Sequence, residues 1–461
     1  MPEEIYDVVV LGGGPGGVAA AVRAAQLGGR VAVIEVERLG GFCMNKGCIP
    51  FGHMMIASNI LGSLPLGRDM GLDFHDVSKD YSALIKRQNE LIEFMRLGVT
   101  GTLRKNRVEI FEGRGRVLEK GKVEVNERVL SYKNIILATG AKWQRPDFPG
   151  AELEEVLNSD GLLNAEKLPE RVLLFGESPW LMEIAQFLNR YGSQAILATK
   201  EKRILGAESK TLSTRLRKVL KGEGIEIRTN AEIVAVKKKK DGLYVDLNSK
   251  EGSEKIVVDR IIHLERMASL KDLGLKPLGL DEEGPYLKVN HRLETGIKGV
   301  YAVGDLTGDP SRHYSHRASE EGIIAAENAM GREATVNPKI LTRILFTQPQ
   351  VACVGFTPNE AKVHGYDVIV GSAPFGVNPF GMITSENEGI VEIVSEKRFG
   401  EILGVNIIGK NASEMIGQAI LAIQMEATLE ELARTSFPHP TLSESLAEAA
   451  RDALGRPIYL P

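Results

Sequence analysis

Apolar and polar positions along the first forty residues alternate by segment rather than by residue. Ile5 to Leu11 is a nearly unbroken apolar run, the pattern of a strand covered on both faces. Gly12-Gly13-Gly14-Pro15-Gly16-Gly17 interrupts it, and the apolar, alanine-rich stretch Val18 to Ala25 then reads as a helix. A second strand, Arg30 to Ile34, ends on Glu35. The same order returns at Arg171 to Phe175, a turn from Gly176 to Pro179, a helix through Glu183, and a strand from Ala195 to Ala198. Further strand-like runs at Ile135 to Leu137 and Tyr301 to Val303 feed Thr139-Gly140 and Gly304-Asp305. From about Pro338 onward the strand-like stretches Phe346 to Gly355 and Ile402 to Gly409 mark a C-terminal unit of a different kind. The pattern predicts an α/β chain of several domains: residues 1–148, 149–270, 271–337 and 338–461.

Composition narrows this only a little. A chain of 461 residues exceeds what one core supports. The 57 Lys and Arg against 61 Asp and Glu leave a net charge of −4, which gives no electrostatic footprint for nucleic acid or an anionic membrane surface. No apolar run approaches the length needed to span a bilayer, and Met1-Pro2-Glu3-Glu4 leads straight into the first strand without a leader pattern, so the expected location is cytoplasmic. Three cysteines argue against a secreted disulfide scaffold, and no residue set has metal-ligand spacing.

Two of those cysteines, Cys43 and Cys48, sit behind Gly40-Gly41 and are followed by Pro50. On one regular helix, positions five apart lie about 7.5 Å apart along the axis and on different faces, too far for a bridge. A bonded pair therefore requires a bent segment, which Gly40, Gly41 and Gly47 permit and which Pro50 favours by withholding a donor from a continuing helix. A helix start nearby would lower a thiol pKa. Spacing alone leaves open two reduced core cysteines. Upstream, Gly12, Gly14 and Gly17 fill the glycine positions of G-x-G-x-x-G between a strand and a helix, and Glu35 stands eighteen residues past Gly17, where an acid meets a ribose. Together they predict dinucleotide binding.

Gly40-Gly41-Phe42-Cys43-Met44-Asn45-Lys46-Gly47-Cys48-Ile49-Pro50 resembles the active-site signature of the flavoprotein disulfide reductases, G-G-T-C-x-N-x-G-C-I-P-S-K, and among them is closest to the dihydrolipoamide dehydrogenases. The resemblance runs to the C-terminus. Ala138-Thr139-Gly140 resembles the family's A-T-G segment, Tyr301 to Asp305 its Y-A-x-G-D motif, and Ser315-His316-Arg317-Ala318 its A-H-K-A segment. It implies two nested Rossmann-like domains and an α+β dimerisation domain, with FAD held by Gly12, Gly14, Gly17, Glu35, Thr139, Gly140, Asp305, His316 and Ala318. It also implies a redox-active Cys43–Cys48 disulfide, with Cys43 exchanging with substrate, Cys48 against the flavin, and His439 as a base oriented by Glu444. Pro438-His439-Pro440-Thr441 matches H-x-H-P-T apart from its first histidine, replaced by Phe437. That base would reach the disulfide of the other subunit of a homodimer. A lipoyl group or a lipoyl-bearing protein is the implied substrate.

The second nucleotide unit departs from the family pattern. In place of G-x-G-x-x-G-x-E it keeps Gly176 and Glu183 but carries Ser178 and Leu181 at the other glycine positions, with Glu177 adding negative charge. Thr199 stands where the ribose acid belongs, and Lys200, Lys202 and Arg203 read as a solvated basic turn or as a 2′-phosphate contact. Glu265 to Ser269 replaces G-R-R-P-N and keeps only Arg266. These changes oppose NAD(P) binding and leave open an electron-transfer partner as acceptor, or a flavin-bearing subunit without catalysis. Trp180 is expected to fill the nicotinamide space. The family's lysine beside Glu183 is Gly52 here, so Glu183 is expected to be neutral. Cys353 reads as plain core.

Overall fold

A computed structural model describes residues 5–250, 252–268, 270–308, 313–337 and 339–460. Met1 to Glu4, Ser269 and Pro338, named above, lie outside the described residues. Among the described residues the fold is mixed α/β, with two nucleotide-type sheets, a three-stranded antiparallel sheet and a five-stranded antiparallel sheet at the C-terminal end.

Strand β1 (Ile5–Leu11) lies between β2 (Val31–Glu35) and the strand Arg128–Leu137, parallel to both. Val8, Val9 and Val10 are fully buried, which explains the continuous apolar run. The register aligns Leu11 with both Ile34 and Leu137, and the strand Val300–Ala302 adds beyond Leu137 in parallel. Gly12, Glu35, Ala138 and Val303 therefore follow the carboxyl ends of four adjacent strands, the edge at which open α/β sheets bind ligands. Helix α1 (Pro15–Gln26) starts with proline and buries Gly16, Gly17, Ala20, Ala21 and Ala24. Those small residues admit the helix Ser315–Ala329: a Cβ on Gly322 would stand 2.2 Å from the Gly16 carbonyl oxygen.

The second sheet runs Glu226–Arg228, Gln194–Ala198, Arg171–Phe175, Arg260–Ile262 and Val156–Leu157, all parallel. Where the chain passes between the two sheets, Ala141–Trp143 pairs antiparallel with Arg266–Ala268. The C-terminal sheet has five antiparallel strands, with helices Ala412–Gln424 and Glu444–Ala453 sharing its core. Cys353 is fully buried on that sheet, as core.

The cysteine segment is bent as its glycines require. Helix α2 (Gly41–Asn45) carries Cys43, and helix α3 (Cys48–Gly62) begins on Cys48. Gly40 at φ +94° and Gly41 at φ +56° turn the chain into α2, and Gly47 at ψ −105° breaks it from α3. Pro50 plays a different part from the one expected. It sits in the first turn of α3, where its missing N–H has no helical partner to lose, and α3 continues to Gly62. Among the described residues no helix is long and apolar enough to cross a membrane.

Candidate active site at the strand ends

A cleft of about 570 Å³ opens at this edge, and Gly12, Gly14, Glu35, Cys43, Thr139, Gly140, Asp305 and Ala318 all line it. Gly12 has φ +103° and lies against the Ala138 carbonyl, where a Cβ would approach to 2.3 Å. Gly17 stands behind the turn, and a Cβ there would come within 1.8 Å of the Gly12 oxygen. A Cβ on Gly14 would meet nothing nearer than Gly41 Cα at 3.8 Å, so this backbone is bare toward the cleft. Glu35 is held at the rim, its carboxylate accepting from the N–H of Gly13 at 2.6 Å and of Glu37 at 2.8 Å. Thr139 Oγ1, Trp143 Nε1 and Arg266 Nη1 are buried without a hydrogen-bond partner. Arg266 Nη1 does lie 2.9 Å from Asp305 Oδ2, an ionic contact at an angle unsuited to a hydrogen bond. Bare backbone, a rim carboxylate and unanswered buried polar atoms fit an extended dinucleotide, FAD in particular.

Cys43 and Cys48 are both thiols here, within hydrogen-bond reach of one another. Cys43 lines the cleft; Cys48 turns its sulfur to Ser315 Oγ at 3.2 Å. Ser315 lines the same cleft, so Cys48, which opens α3, lies just behind its wall beside the start of the helix Ser315–Ala329. The hydrogen bond from Cys48 draws the Cys43 thiol down to about 7, against the opposing effect of burial. The same bond, and burial, push Cys48 up. Of the two, the sulfur that lines the cleft is the one that ionises first as pH rises.

Beside Cys43 the cleft wall is aromatic. Phe42 stacks on Trp180 with centroids 5.4 Å apart and planes 3° apart, and meets Trp143 edge-on at 5.2 Å. Phe51 also meets the indole edge-on, with centroids 5.7 Å apart. Trp180 thus lines the cleft within an aromatic stack rather than lying free.

The sequence pattern described as pyridine nucleotide-disulphide oxidoreductase matches residues 6–331, and the dimerisation domain of the same family matches 341–450. The chain belongs to that family. It is 36% identical over 462 residues to a dihydrolipoyl dehydrogenase of Thermus scotoductus, covering 99% of each chain. It is 32% identical to a dihydrolipoyl dehydrogenase of Bacillus subtilis, covering 98% of this chain and 99% of that one. Among solved structures, LpdA from Mycobacterium tuberculosis superposes with a TM-score of 0.88 at 23% identity, over 96% of this chain and 98% of its own. The flavoprotein disulfide reductase RclA from Escherichia coli, solved as a Cu(II) complex, gives 0.84 at 23%, over 97% and 99%. This is an oxidoreductase of the flavoprotein disulfide reductase type.

At the second nucleotide turn a side chain from a neighbouring strand end, Glu265, reaches the turn backbone. Gly176 keeps φ +138°, yet a Cβ there would meet Glu265 Oε1 at 2.9 Å. The same oxygen accepts the Glu177 N–H at 3.3 Å, a donor of the kind that a phosphate would use. Glu177 is held above the usual carboxylate range by burial and by Glu201 and Glu265, so three acids crowd the turn. Leu181 is buried behind it. Thr199 Oγ1 accepts from the Glu201 N–H at 3.2 Å, Lys200 Nζ lies 3.5 Å from Glu232, and Arg203 donates to the carbonyls of Gly206 and Glu208, each at 2.7 Å.

Three further expectations meet different outcomes. His316 does not line the cleft; its Nε2 lies 3.0 Å from the Thr342 carbonyl, because the first turn of its helix points it toward the C-terminal domain while Ser315 and Ala318 face inward. His439 Nδ1 lies 3.0 Å from Glu444 Oε1, whose carboxylate also accepts the Thr441 N–H at 2.9 Å. That pair is oriented as a base and its support would be, but it stands exposed on the C-terminal domain, away from the cleft lining. Glu183 is 2% exposed and accepts the Phe346 N–H at 2.8 Å, and burial pushes it up to about 8. Around Gly52 the space for a Cβ is open, with no atom within 4 Å. Sequence reasoning missed Ser315 and Trp143 as site residues; their signal was position, one opening the A-H-K-A segment and the other following Thr139-Gly140.

Proposed function

We propose that this protein is an FAD-dependent dithiol–disulfide oxidoreductase acting on a lipoyl-type group, free or carried on a protein. The observation that carries the reading is the Cys43–Cys48 thiol pair set in the wall of the glycine-turn cleft. In the direction of dithiol oxidation, a substrate thiolate attacks Cys43 of the Cys43–Cys48 disulfide and displaces the Cys48 sulfur. The second substrate sulfur then attacks the mixed disulfide and releases Cys43, so substrate leaves oxidised and the pair holds two electrons. Ser315, 3.2 Å from Cys48, is placed to donate to that sulfur as it takes charge. FAD, held by the glycine turn, Glu35, Thr139 and Asp305, supplies the two-electron acceptor when bound. His439, with Glu444 fixing its ring, takes the substrate proton from the partner subunit of a homodimer.

A second reading concerns where the electrons go. The Glu265 contact with the turn and the Phe42–Trp180 stack both favour an acceptor other than NAD(P), an electron-transfer protein being the simplest class. A flavin-bearing subunit without catalysis is disfavoured, because packing alone has no use for Cys43, Cys48, His439 and Glu444 together. An anaerobic titration followed by flavin absorbance separates these. Dihydrolipoamide should reduce the flavin and NADH should do so far more slowly. Saturable reduction by micromolar nicotinamide would defeat the second reading, and no response to dihydrolipoamide would defeat the first.

A further inference from the structure

Arg266 stands at the meeting point of both halves of the site. It lies on Arg266–Ala268, directly opposite Trp143 in the two-stranded pair. Its side chain is 6% exposed. On one side it meets Asp305 at 2.9 Å. On the other its guanidinium carbon lies 3.8 Å over the Phe42 ring, with Trp180 at 5.3 Å and Trp143 at 5.9 Å. A buried guanidinium needs both a counter-charge and partners for its flat faces, and here both are supplied. Phe42 is the residue immediately before Cys43. Whatever holds Phe42 also holds the cysteine that faces the cleft.

The charges around the pair make this contact consequential. Asp305 opposes ionisation of Cys43, while Arg266 favours ionisation of both Cys43 and Cys48. Ser315 donates to the pair, Cys48 adds to the burial that holds Glu183 of the helix Trp180–Tyr191 up, and His313 lines the same cleft close to Asp305 and Arg266. Removing the guanidinium would leave the Asp305 carboxylate uncompensated beside the thiols.

We propose that Arg266 is a positioning residue for the redox pair: it neutralises Asp305 on the side facing Cys43 and clamps Phe42, so that the cleft-facing sulfur carries the charge. This rests on reading Cys43 and Cys48 as the reacting pair and is independent of the electron acceptor.

The test is the pH profile of alkylation of the full-length flavoprotein, reduced anaerobically, with iodoacetamide as probe and peptide mass analysis to separate Cys43, Cys48 and Cys353. In the parent, Cys43 should label with an inflection at about 7. Arg266→Met should raise that inflection by roughly one pH unit, lowering labelling at pH 7 by about fivefold. Arg266→Lys, which keeps the charge, should move it less than half as far. An inflection unchanged in Arg266→Met, or moved equally by both substitutions, overturns the proposal; so does loss of thermal stability without a shift in the profile. Should Arg266→Met fail to fold, Phe42→Leu removes the clamp alone and should give a smaller upward shift, and an unshifted profile there is equally fatal. If Cys43 in the parent labels only at alkaline pH, it is the functional reading itself that fails.

Discussion

The two strand-turn-helix units of this chain answer one question in opposite ways. In the first, Gly14 leaves backbone bare toward a cleft, and a carboxylate, Glu35, is fixed at its rim by the turn itself. In the second, Gly176 keeps its left-handed turn, but the donor beside it is taken by Glu265 and the neighbourhood holds Glu177 and Glu201. The strands flanking each turn are parallel and buried in both units. A nucleotide fold can persist on packing alone, whereas a nucleotide site needs bare donors, space and the right sign of charge, which is the basis of the proposal that the acceptor is not NAD(P). The second unit keeps a use even so: its helix carries Glu183 and Trp180 into the wall around the cysteines.

The sharpest way to break this contrast is at the glycines. Gly17→Val should abolish flavin binding and cost several kcal/mol of stability, since its Cβ would stand 1.8 Å from the Gly12 oxygen. Ser178→Gly in the second turn should leave the bound flavin absorbance untouched. Equal loss of flavin from both would show that the two turns are not different in kind.

Next in size is Cys43→Ser, which should abolish dihydrolipoamide oxidation while FAD stays bound, as read by absorbance and turnover. Retained turnover would remove Cys43 from the chemistry. Cys353→Ser, in the buried C-terminal sheet, should leave turnover intact.

Glu183 tests what the second helix is for. Its folded pKa of about 8 lies above the ordinary carboxyl value of 4.5, so between the two the folded state keeps a proton that the unfolded state has released. Its contribution to stability is full below about pH 4.5, declines as pH rises and is gone above about 8. Glu183→Gln, which can still accept the Phe346 N–H, should therefore show no gain in acid and a gain of at most a few kcal/mol by pH 8, read as Tm against pH. A gain independent of pH would mean that the carboxyl is ionised throughout.

The smallest expected effect is the most direct probe of the second turn. Glu265→Gln combined with Ser178→Gly should speed flavin reduction by NADH by about tenfold in stopped flow, the equivalent of ~1.4 kcal/mol. No change would place the obstacle at the aromatic stack instead, and Trp180→Ala would then be the informative substitution.

Much of this was legible in the chain, for definite reasons. The run from Ile5 to Leu11 reads as a doubly covered strand, Gly12 and Gly17 answer to close approaches that a side chain would not allow, and Gly14 leaves backbone bare toward the cleft. The cysteine spacing demanded a bend, and Gly40 and Gly41 supply it with positive φ. The departures at Ser178, Leu181 and Thr199 were equally visible, because each removes a contact that depends on residue type alone.

Only the tertiary structure decided matters that turn on direction. That Cys43 rather than Cys48 faces the cleft follows from how α3 meets the helix Ser315–Ala329, and that His316 turns to Thr342 follows from the facing of that same helix. The meeting of Arg266 with Asp305 and Phe42 joins residues from three separated stretches of chain, and no local pattern records it. Nor does Glu265 announce itself in sequence as the group that caps the second turn. Periodicity and motif spacing fix which elements form and which backbone positions must be bare. Where a side chain points, and therefore which sulfur carries charge and which donor is already taken, depends on long-range packing that local sequence does not encode.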